Sequence, residues 1–296
     1  LIEDEYSDIN QLDVNPWQVD RDYDYLLPSL NVRYNVTENL ISRFAYTQTL
    51  SRPKFEESAA FQIIESNTVK DSDGVLTTER EASVGNPELK PFESDNIDFT
   101  IEYYPGGIGV LSAGYFYKNI SNFVIYADVA NQPQWQGFDE VIQPINGDKA
   151  TLQGIELAWV KTFENGLLLA ANATFSDSEA VTLLDGKRFE TSLPNQADRV
   201  GNLTVGYEDE KWNLRLTMTH KSENLEEIDG ELLRMEDSHQ QLDFSSKYYI
   251  NQKMNLYFNA INITDQPFYN YFSERNRNAQ YEEYGRTFEL GFTWKM

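Results

Sequence analysis

Strict alternation of apolar and polar residues recurs along this chain, and no other feature of the sequence restricts the fold as strongly. In the last segment, Phe288, Leu290 and Phe292 share one face, while threonine, glutamate and glycine residues share the other. The same pattern occurs at 97–103 and 212–218. Because successive side chains of a strand point to opposite faces, the pattern predicts β-strands with one apolar and one polar face.

Eleven segments carry this pattern, and most match the length of a tilted strand that crosses a bilayer, about 9–11 residues. We predict strands at about 26–36, 40–50, 94–104, 109–125, 150–163, 166–176, 198–208, 211–220, 240–250, 253–263 and 285–296. No apolar run reaches the roughly 18 residues that a membrane-spanning helix requires, so no transmembrane helix is predicted.

The connections between these strands alternate between short turns and long acidic loops. Pro105-Gly106-Gly107 and Asp209-Glu210 are examples of the short turns. The whole net charge of −24 lies in the long loops, which are 1–24, 51–93, 126–150, 176–198, 220–240 and 264–284. Short periplasmic turns and long extracellular loops are typical of bacterial outer-membrane barrels.

We therefore predict an all-β fold, a transmembrane antiparallel up-and-down β-barrel in the bacterial outer membrane. A β-propeller also consists of serial short strands, but it would not make every second connection long and acidic. The eleven strands are too few to close a wide barrel, and bacterial single-chain barrels usually have an even number of strands. We expect the chain to lack the beginning of its own protein.

The two faces of the wall have different predicted environments. The apolar face meets lipid, and aromatic residues near the short turns are expected at the membrane interface. These are Tyr103, Tyr104, Trp159, Tyr207, Trp212, Tyr248 and Trp294. The alternative is that they are core aromatic residues of a soluble sandwich. The polar face, with charges of both signs, lines a lumen wide enough to hold water or a plug.

Several function classes are disfavoured by composition. The chain has no cysteine, only two histidines and a strong excess of acidic residues. Nucleic-acid binding requires clustered lysine and arginine, so no nucleic-acid partner is expected. No Gly-x-Ser-x-Gly nucleophile motif is present, and an enzyme is not predicted.

A set of short motifs, in order along almost the whole chain, resembles TonB-dependent outer-membrane receptors. The motifs are Leu27-Pro28-Ser29-Leu30-Asn31-Val32-Arg33-Tyr34, Arg43-Phe44-Ala45-Tyr46-Thr47, Ser51-Arg52-Pro53, Gly85-Asn86-Pro87-Glu88-Leu89-Lys90-Pro91, Glu102-Tyr103-Tyr104, Gly114-Tyr115-Phe116-Tyr117-Lys118-Asn119-Ile120, Gly154-Ile155-Glu156, Asn262-Ile263-Thr264-Asp265 and Gly285-Arg286-Thr287-Phe288. The chain departs from the family in one respect, because it ends in Met296 where an aromatic residue is common.

The resemblance implies a 22-stranded barrel of which residues 1–296 form the C-terminal part. It places a plug domain, the segment that contacts TonB and the first half of the barrel upstream of this chain. Lumen residues would hold the plug by ion pairs or would be hydrated. They are Arg33, Arg43, Glu102, Glu156, Arg215, Asp243 and Glu289. The implied function is energy-coupled import of an extracellular ligand, with lipid, lipopolysaccharide and the TonB complex as partners.

The resemblance is closest to receptors associated with glycan uptake, so we expect an oligosaccharide ligand. Aromatic rings with neighbouring amides suit sugars, and two loops supply candidate contacts. They are Tyr126, Trp135, Phe138, Tyr269, Tyr271, Phe272, Arg275, Arg277 and Tyr281. The alternatives are rings that pack the loops together, a siderophore receptor and a passive porin.

No cofactor is expected, and the acidic loops are interpreted mainly as a solvated outer surface. Divalent cations could bridge that surface to lipopolysaccharide. A dedicated calcium site at Asp71-Ser72-Asp73-Gly74 is a second interpretation, although the full spacing of an EF-hand loop is absent. Attraction of a cationic ligand is a third.

Overall fold

The computed structural model describes residues 22–70, 76–184, 187–229 and 232–295. In chain order the elements are β1 (Ser29–Thr37), β2 (Leu40–Ser51), α1 (Phe55–Ser58), β3 (Gln62–Lys70), β4 (Leu76–Val84), β5 (Phe92–Tyr103), β6 (Val110–Ser121), β7 (Val124–Asp128), a 3₁₀ turn (Pro133–Trp135), β8 (Glu140–Asn146), β9 (Lys149–Thr162), β10 (Leu167–Leu184), β11 (Lys187–Thr191), β12 (Arg199–Glu208), β13 (Trp212–Lys221), β14 (Asn224–Asp229), β15 (Leu232–Glu236), β16 (His239–Asn251), β17 (Met254–Ile261), β18 (Phe268–Phe272), β19 (Asn278–Glu282) and β20 (Thr287–Trp294).

Eleven strands form one continuous antiparallel wall, in the order β1-β2-β5-β6-β9-β10-β12-β13-β16-β17-β20. Each strand of the wall corresponds to one predicted segment, so the predicted all-β, up-and-down strand order is confirmed. The register is regular over most of its length, as in the pairing of Glu102 with Ile41 on one side and with Ser112 on the other. In the described residues, no helix is long and apolar enough to span a membrane.

The outer face of the wall is apolar and exposed, as the alternation predicts. Ile97, Phe99 and Ile101 on β5 are each about 40% exposed. Near the short turns, the rings of Trp212 and Tyr248 lie 4.6 Å apart between centroids on adjacent strands. A monomeric soluble protein rarely exposes so continuous an apolar surface to water. The composition of this face is that of a surface in contact with lipid.

One residue of the predicted aromatic interface belongs to the other face. The hydroxyl of Tyr104 donates to Glu102 Oε2 at 3.0 Å, so its polar tip is directed to the polar side of the wall. Tyr104 is two residues after Glu102, so the alternation that puts Tyr103 on the apolar face puts Tyr104 on the polar face with Glu102. The prediction that Tyr104 shares the interface position of Tyr103 was therefore wrong.

The structure differs from the predicted strands at the long-loop end. The segment predicted as one strand at 109–125 is broken at Asn122, which has a φ of 59° and separates β6 from β7. β10 continues to Leu184, well past its predicted end near residue 176, and pairs there with β11. Within the described residues, the long loops also contain strands that were not predicted: β3, β4, β7, β8, β11, β14, β15, β18 and β19.

Two glycines make room for aromatic rings, one on the polar face of the wall and one at the loop base, where the wall meets the long loops. A β-carbon added at Gly154 or at Gly147 would come within 3.0 Å of the rings of Phe116 and Phe123, respectively. Phe123 is itself 5% exposed and belongs to an apolar cluster with Ile120 at the top of the wall. The glycines therefore provide the space that the rings occupy.

Candidate functional site

The long loops fold into two small sheets at one end of the wall. The first loop sheet has the order β3-β4-β8-β7 and the second loop sheet has the order β14-β15-β18-β19. Each sheet combines strands from two different loops, and β4 pairs with β8 in parallel. Because these loops are the extracellular ends of the predicted barrel, the two sheets form the candidate ligand-binding region.

The predicted ligand residues Trp135 and Phe138 help to pack the first loop sheet. Their rings meet edge to face with centroids 5.7 Å apart, and they cover a core that includes the fully buried Val141. The guanidinium of Arg80 lies 4.4 Å from the ring centroid of Phe138. Each ring is half-buried, so only part of its surface is available to a ligand.

Tyr126 occupies a more open position on β7, where it is 42% exposed. Its hydroxyl lies 3.3 Å from Glu57 Oε1, and the buried Glu57 carboxylate also accepts the backbone N–H of Lys54 at 2.8 Å. Desolvation, and then the negative charge of Glu57, raise the pKa of Tyr126 above its usual value. A neutral phenol is therefore presented at the surface beside a carboxylate.

The second loop sheet holds a row of tyrosines, of which one is buried. Tyr271 is 6% exposed and its hydroxyl donates to Glu223 Oε2 at 2.8 Å. Burial and this bond to a carboxylate raise the pKa of Tyr271 to about 12. The ring of Tyr269 lies between those of Tyr271 and Tyr281, with centroid distances of 5.9 and 6.0 Å, respectively. Tyr281 is 53% exposed, while Phe272 is half-buried.

The two predicted ligand-binding arginines of this sheet are both paired with carboxylates. The Arg275 guanidinium lies 2.5 Å from Asp237, and the Arg277 guanidinium lies 3.7 Å from Glu274. In each pair the carboxylate offsets part of the positive charge of its arginine, and the exposed pair at Arg277 is the weaker of the two. An anionic ligand would have to compete with these carboxylates for either arginine.

A polar network below the tyrosines was not predicted. Arg234 Nε lies 2.8 Å from Glu226 Oε2, and the amide nitrogen of the fully buried Asn270 donates to the same oxygen. Nearby, the Lys221 ammonium lies 2.5 Å from Glu236. These residues come from two acidic loops and belong to none of the motifs, so the sequence offers no signal that would have found the network.

A cleft of about 330 Å³ lies where the two loop sheets approach each other, beside β7 and β14. It is lined by Val124, Ile125, Tyr126, Pro194, Asn195, Glu226, Glu227 and Ile228. Only Tyr126 of this set was singled out from the sequence. The others were missed because the cleft is assembled from three loops that are distant along the chain.

On the polar face of the wall, the predicted lumen charges contact one another. Arg43 binds Glu102 through two hydrogen bonds of 2.9 and 3.3 Å. Arg33 lies directly across the strand pair from Arg43. Since like charges placed opposite each other are unfavourable, Glu102 offsets one of the two guanidiniums and leaves Arg33 for water or another group.

The other lumen residues show the same mixture of paired and unpaired groups. Arg215 lies 3.0 Å from Glu208, and Asp243 accepts the backbone N–H of Asn262 at 2.8 Å. Glu289 accepts a hydrogen bond of 2.9 Å from the Asn259 amide. Glu156 makes no side-chain hydrogen bond or ion pair within the described ranges. Their contact with a plug stays a prediction.

The described residues contain no group of three or more histidine or carboxylate side chains that could hold a metal ion. The calcium site predicted at Asp71-Ser72-Asp73-Gly74 lies outside the described residues. The groups that the candidate region presents are hydrogen-bonding side chains, tyrosine rings and carboxylates.

Solved structures with a similar fold include two siderophore receptors and a copper transporter. The ferric enterobactin receptor PfeA of Pseudomonas aeruginosa is 17% identical, with a TM-score of 0.63 over 91% of this chain and 40% of its own. The siderophore receptor PirA of Acinetobacter baumannii is 14% identical, with a TM-score of 0.63 over 91% and 41%. The copper transporter OprC is 13% identical, with a TM-score of 0.63 over 90% and 39%.

The chain thus spans about 40% of the length of the solved structures that it matches. No curated protein matches it by sequence. The sequence profile described as "TonB dependent receptor-like, beta-barrel" matches residues 5–263, which is most of the chain. Together with the antiparallel wall, its apolar outer face and the ordered loops at one end, this match shows that the chain belongs to the TonB-dependent receptor β-barrel family of the bacterial outer membrane.

Proposed function

We propose that the receptor containing this chain binds a small extracellular ligand and imports it into the periplasm with energy transmitted by TonB. The observation that carries the proposal is the combination of a membrane wall with two folded loop sheets at its long-loop end. A passive porin needs no such binding surface. The family consists of transporters, which fits a protein that moves its ligand without breaking a bond in it.

The ligand that we favour is an oligosaccharide. Tyr126 and Tyr281 expose about half of their surface at the loops, and tyrosine rings can cover the C–H face of a sugar while amides meet its hydroxyls. Arg275 and Arg277 are paired with carboxylates, so the loops offer little free positive charge to an anionic ligand. A metal complex is the alternative, because the similar solved structures are siderophore receptors and a copper transporter.

The test is uptake by the receptor expressed from its own gene in an outer membrane, in strains with and without TonB. We expect labelled oligosaccharides to accumulate in the periplasm only when TonB is present. Equal accumulation in both strains would instead indicate a porin. Uptake of ferric siderophores with no uptake of any sugar would refute the oligosaccharide assignment.

Two variants examine the role of the loops in this assay. Replacing Tyr126 and Tyr281 together by alanine should weaken sugar binding, because both exposed rings are removed. Tyr34→Ala is the matched control, since Tyr34 is 66% exposed on the apolar face of β1, far along the chain from either loop sheet. An equal loss in the control would show that the effect is a general one on assembly.

A further inference from the structure

The cleft between the two loop sheets combines an apolar floor with an acidic rim. Val124, Ile125, Pro194 and Ile228 supply the apolar surface, and none of the lining residues is basic. Its volume of about 330 Å³ is at the lower end of the range of small-molecule sites. The cleft therefore has room for a small ring, or for one end of a longer ligand.

The two carboxylates of the rim differ in how far they are neutralised. Glu226 is offset by Arg234 at 2.8 Å and by the amide of Asn270. Glu227 is exposed, and its side chain makes no hydrogen bond or ion pair within the part of the chain that the structure describes, although Arg234 lies opposite it on β15. The Glu227 carboxylate is therefore more available than that of Glu226 to a group that enters the cleft.

Tyr126 connects this rim to a third carboxylate. Its hydroxyl is hydrogen-bonded to the buried Glu57, which leaves the phenol oxygen free to accept a hydrogen bond from the cleft side. After desolvation, the negative charges of Glu57, Glu56 and Glu227 all raise the pKa of Tyr126. Carboxylates from α1 and from β14 thus both act on Tyr126.

We infer that the cleft binds the protonated amino group of an amino sugar. An ammonium group donates three hydrogen bonds and accepts none, which suits the carboxylate of Glu227 and the oxygen of Tyr126. The apolar floor covers the C–H face of the same ring. This inference rests on the proposed oligosaccharide function and narrows it to ligands with a free amine, since the hydroxyls of a neutral sugar can donate hydrogen bonds to Glu227 but bring no positive charge to offset it.

The test compares two ligands that differ in charge at the same position. Binding of the intact receptor to a glucosamine tetramer is measured beside binding to the N-acetylglucosamine tetramer, in which each amine is a neutral amide. We expect the amino form to bind about tenfold more tightly, which corresponds to about 1.4 kcal/mol. The difference should shrink as salt is added, because exposed charges are screened.

A charge-neutralising variant locates the effect in the cleft. Glu227→Gln should remove most of the preference for the amino tetramer and leave binding of the acetylated tetramer unchanged. Glu210→Gln is the control, because it makes the same change in a short turn at the other end of the wall. We expect the control to bind both tetramers as the unmodified receptor does.

The possible results separate this inference from the proposed function. Equal affinity for the two tetramers, or a preference that survives Glu227→Gln, would overturn the amino-sugar site while sugar import still stands. Binding of neither tetramer with TonB-dependent uptake of another oligosaccharide would also overturn the site alone. Failure of every sugar, with uptake of a ferric siderophore, would overturn both.

Discussion

Replacing Tyr271 by phenylalanine should loosen the second loop sheet by a measurable amount. The change removes one hydroxyl, which donates a 2.8 Å hydrogen bond to Glu223 from a side chain that is 6% exposed. Hydrogen bonds to charged groups contribute about 1.5–3 kcal/mol. Glu223 is exposed and regains water when the hydroxyl is lost, so we expect a loss of about 1–2 kcal/mol.

Amide hydrogen exchange measures this loss locally. A change of about 1–2 kcal/mol in the free energy of opening corresponds to exchange that is roughly 5–30-fold faster in β15 and β18. Tyr281→Phe is the matched control, because Tyr281 also bonds a glutamate, Glu283, at 2.8 Å but is 53% exposed. The reasoning is refuted if both variants change the exchange rates equally.

The same residue predicts a dependence on alkaline pH. The pKa of Tyr271 is raised from 10.0 to about 12, so the folded sheet holds this proton more tightly than the unfolded chain. Its contribution to stability is therefore complete below pH 10 and is lost as the pH rises towards about 12. In Tyr271→Phe, the loss of protection across this window should be smaller than in the unmodified protein.

Three further predictions address the loop base, the loop core and the membrane face. Gly147→Ala should destabilise the loop base by about 1–3 kcal/mol, because the new methyl group meets the ring of Phe123, and a second change of Phe123 to leucine should restore part of the loss in a thermal melt. Leu225→Ala should lower the stability of the second loop sheet by about 2–5 kcal/mol, since Leu225 is 3% exposed. Faster amide hydrogen exchange confined to β14 and β15 would report this loss. In variants with one tryptophan, brominated lipid should quench the fluorescence of Trp212 and not that of Trp135, and the opposite result would reverse the assignment of faces.

The wall was predictable because its environment imposes a simple pattern. In a strand between lipid and a polar lumen, apolar and polar residues must alternate strictly. In β5, Ile97, Phe99 and Ile101 alternate in this way with Asp98 and Thr100. The ends of the wall strands were less certain because alternation does not stop where the membrane does. Backbone conformation decides these ends, as at Asn122, whose positive φ separates β6 from β7.

The loop sheets were not predictable by the same argument. β3 and β4 face water on much of their surface, and their sequences contain few apolar residues at alternate positions. Nor does sequence distinguish a ring that packs from a ring that is offered to a ligand. Trp135 is half-buried over a loop core and Tyr126 is exposed at a cleft, although both occur in the same predicted loop.

The parallel pairing of β4 with β8 has a consequence for how the receptor folds. Glu81 on β4 pairs with Glu140 on β8, and the intervening chain includes the complete hairpin of β5 and β6. Because contacts between distant parts of a chain form slowly, we expect the first loop sheet to assemble only after that hairpin has formed. The two loops of this sheet then depend on each other for folding. They also depend on each other in evolution, since an insertion in either loop alters the pairing partner of the other.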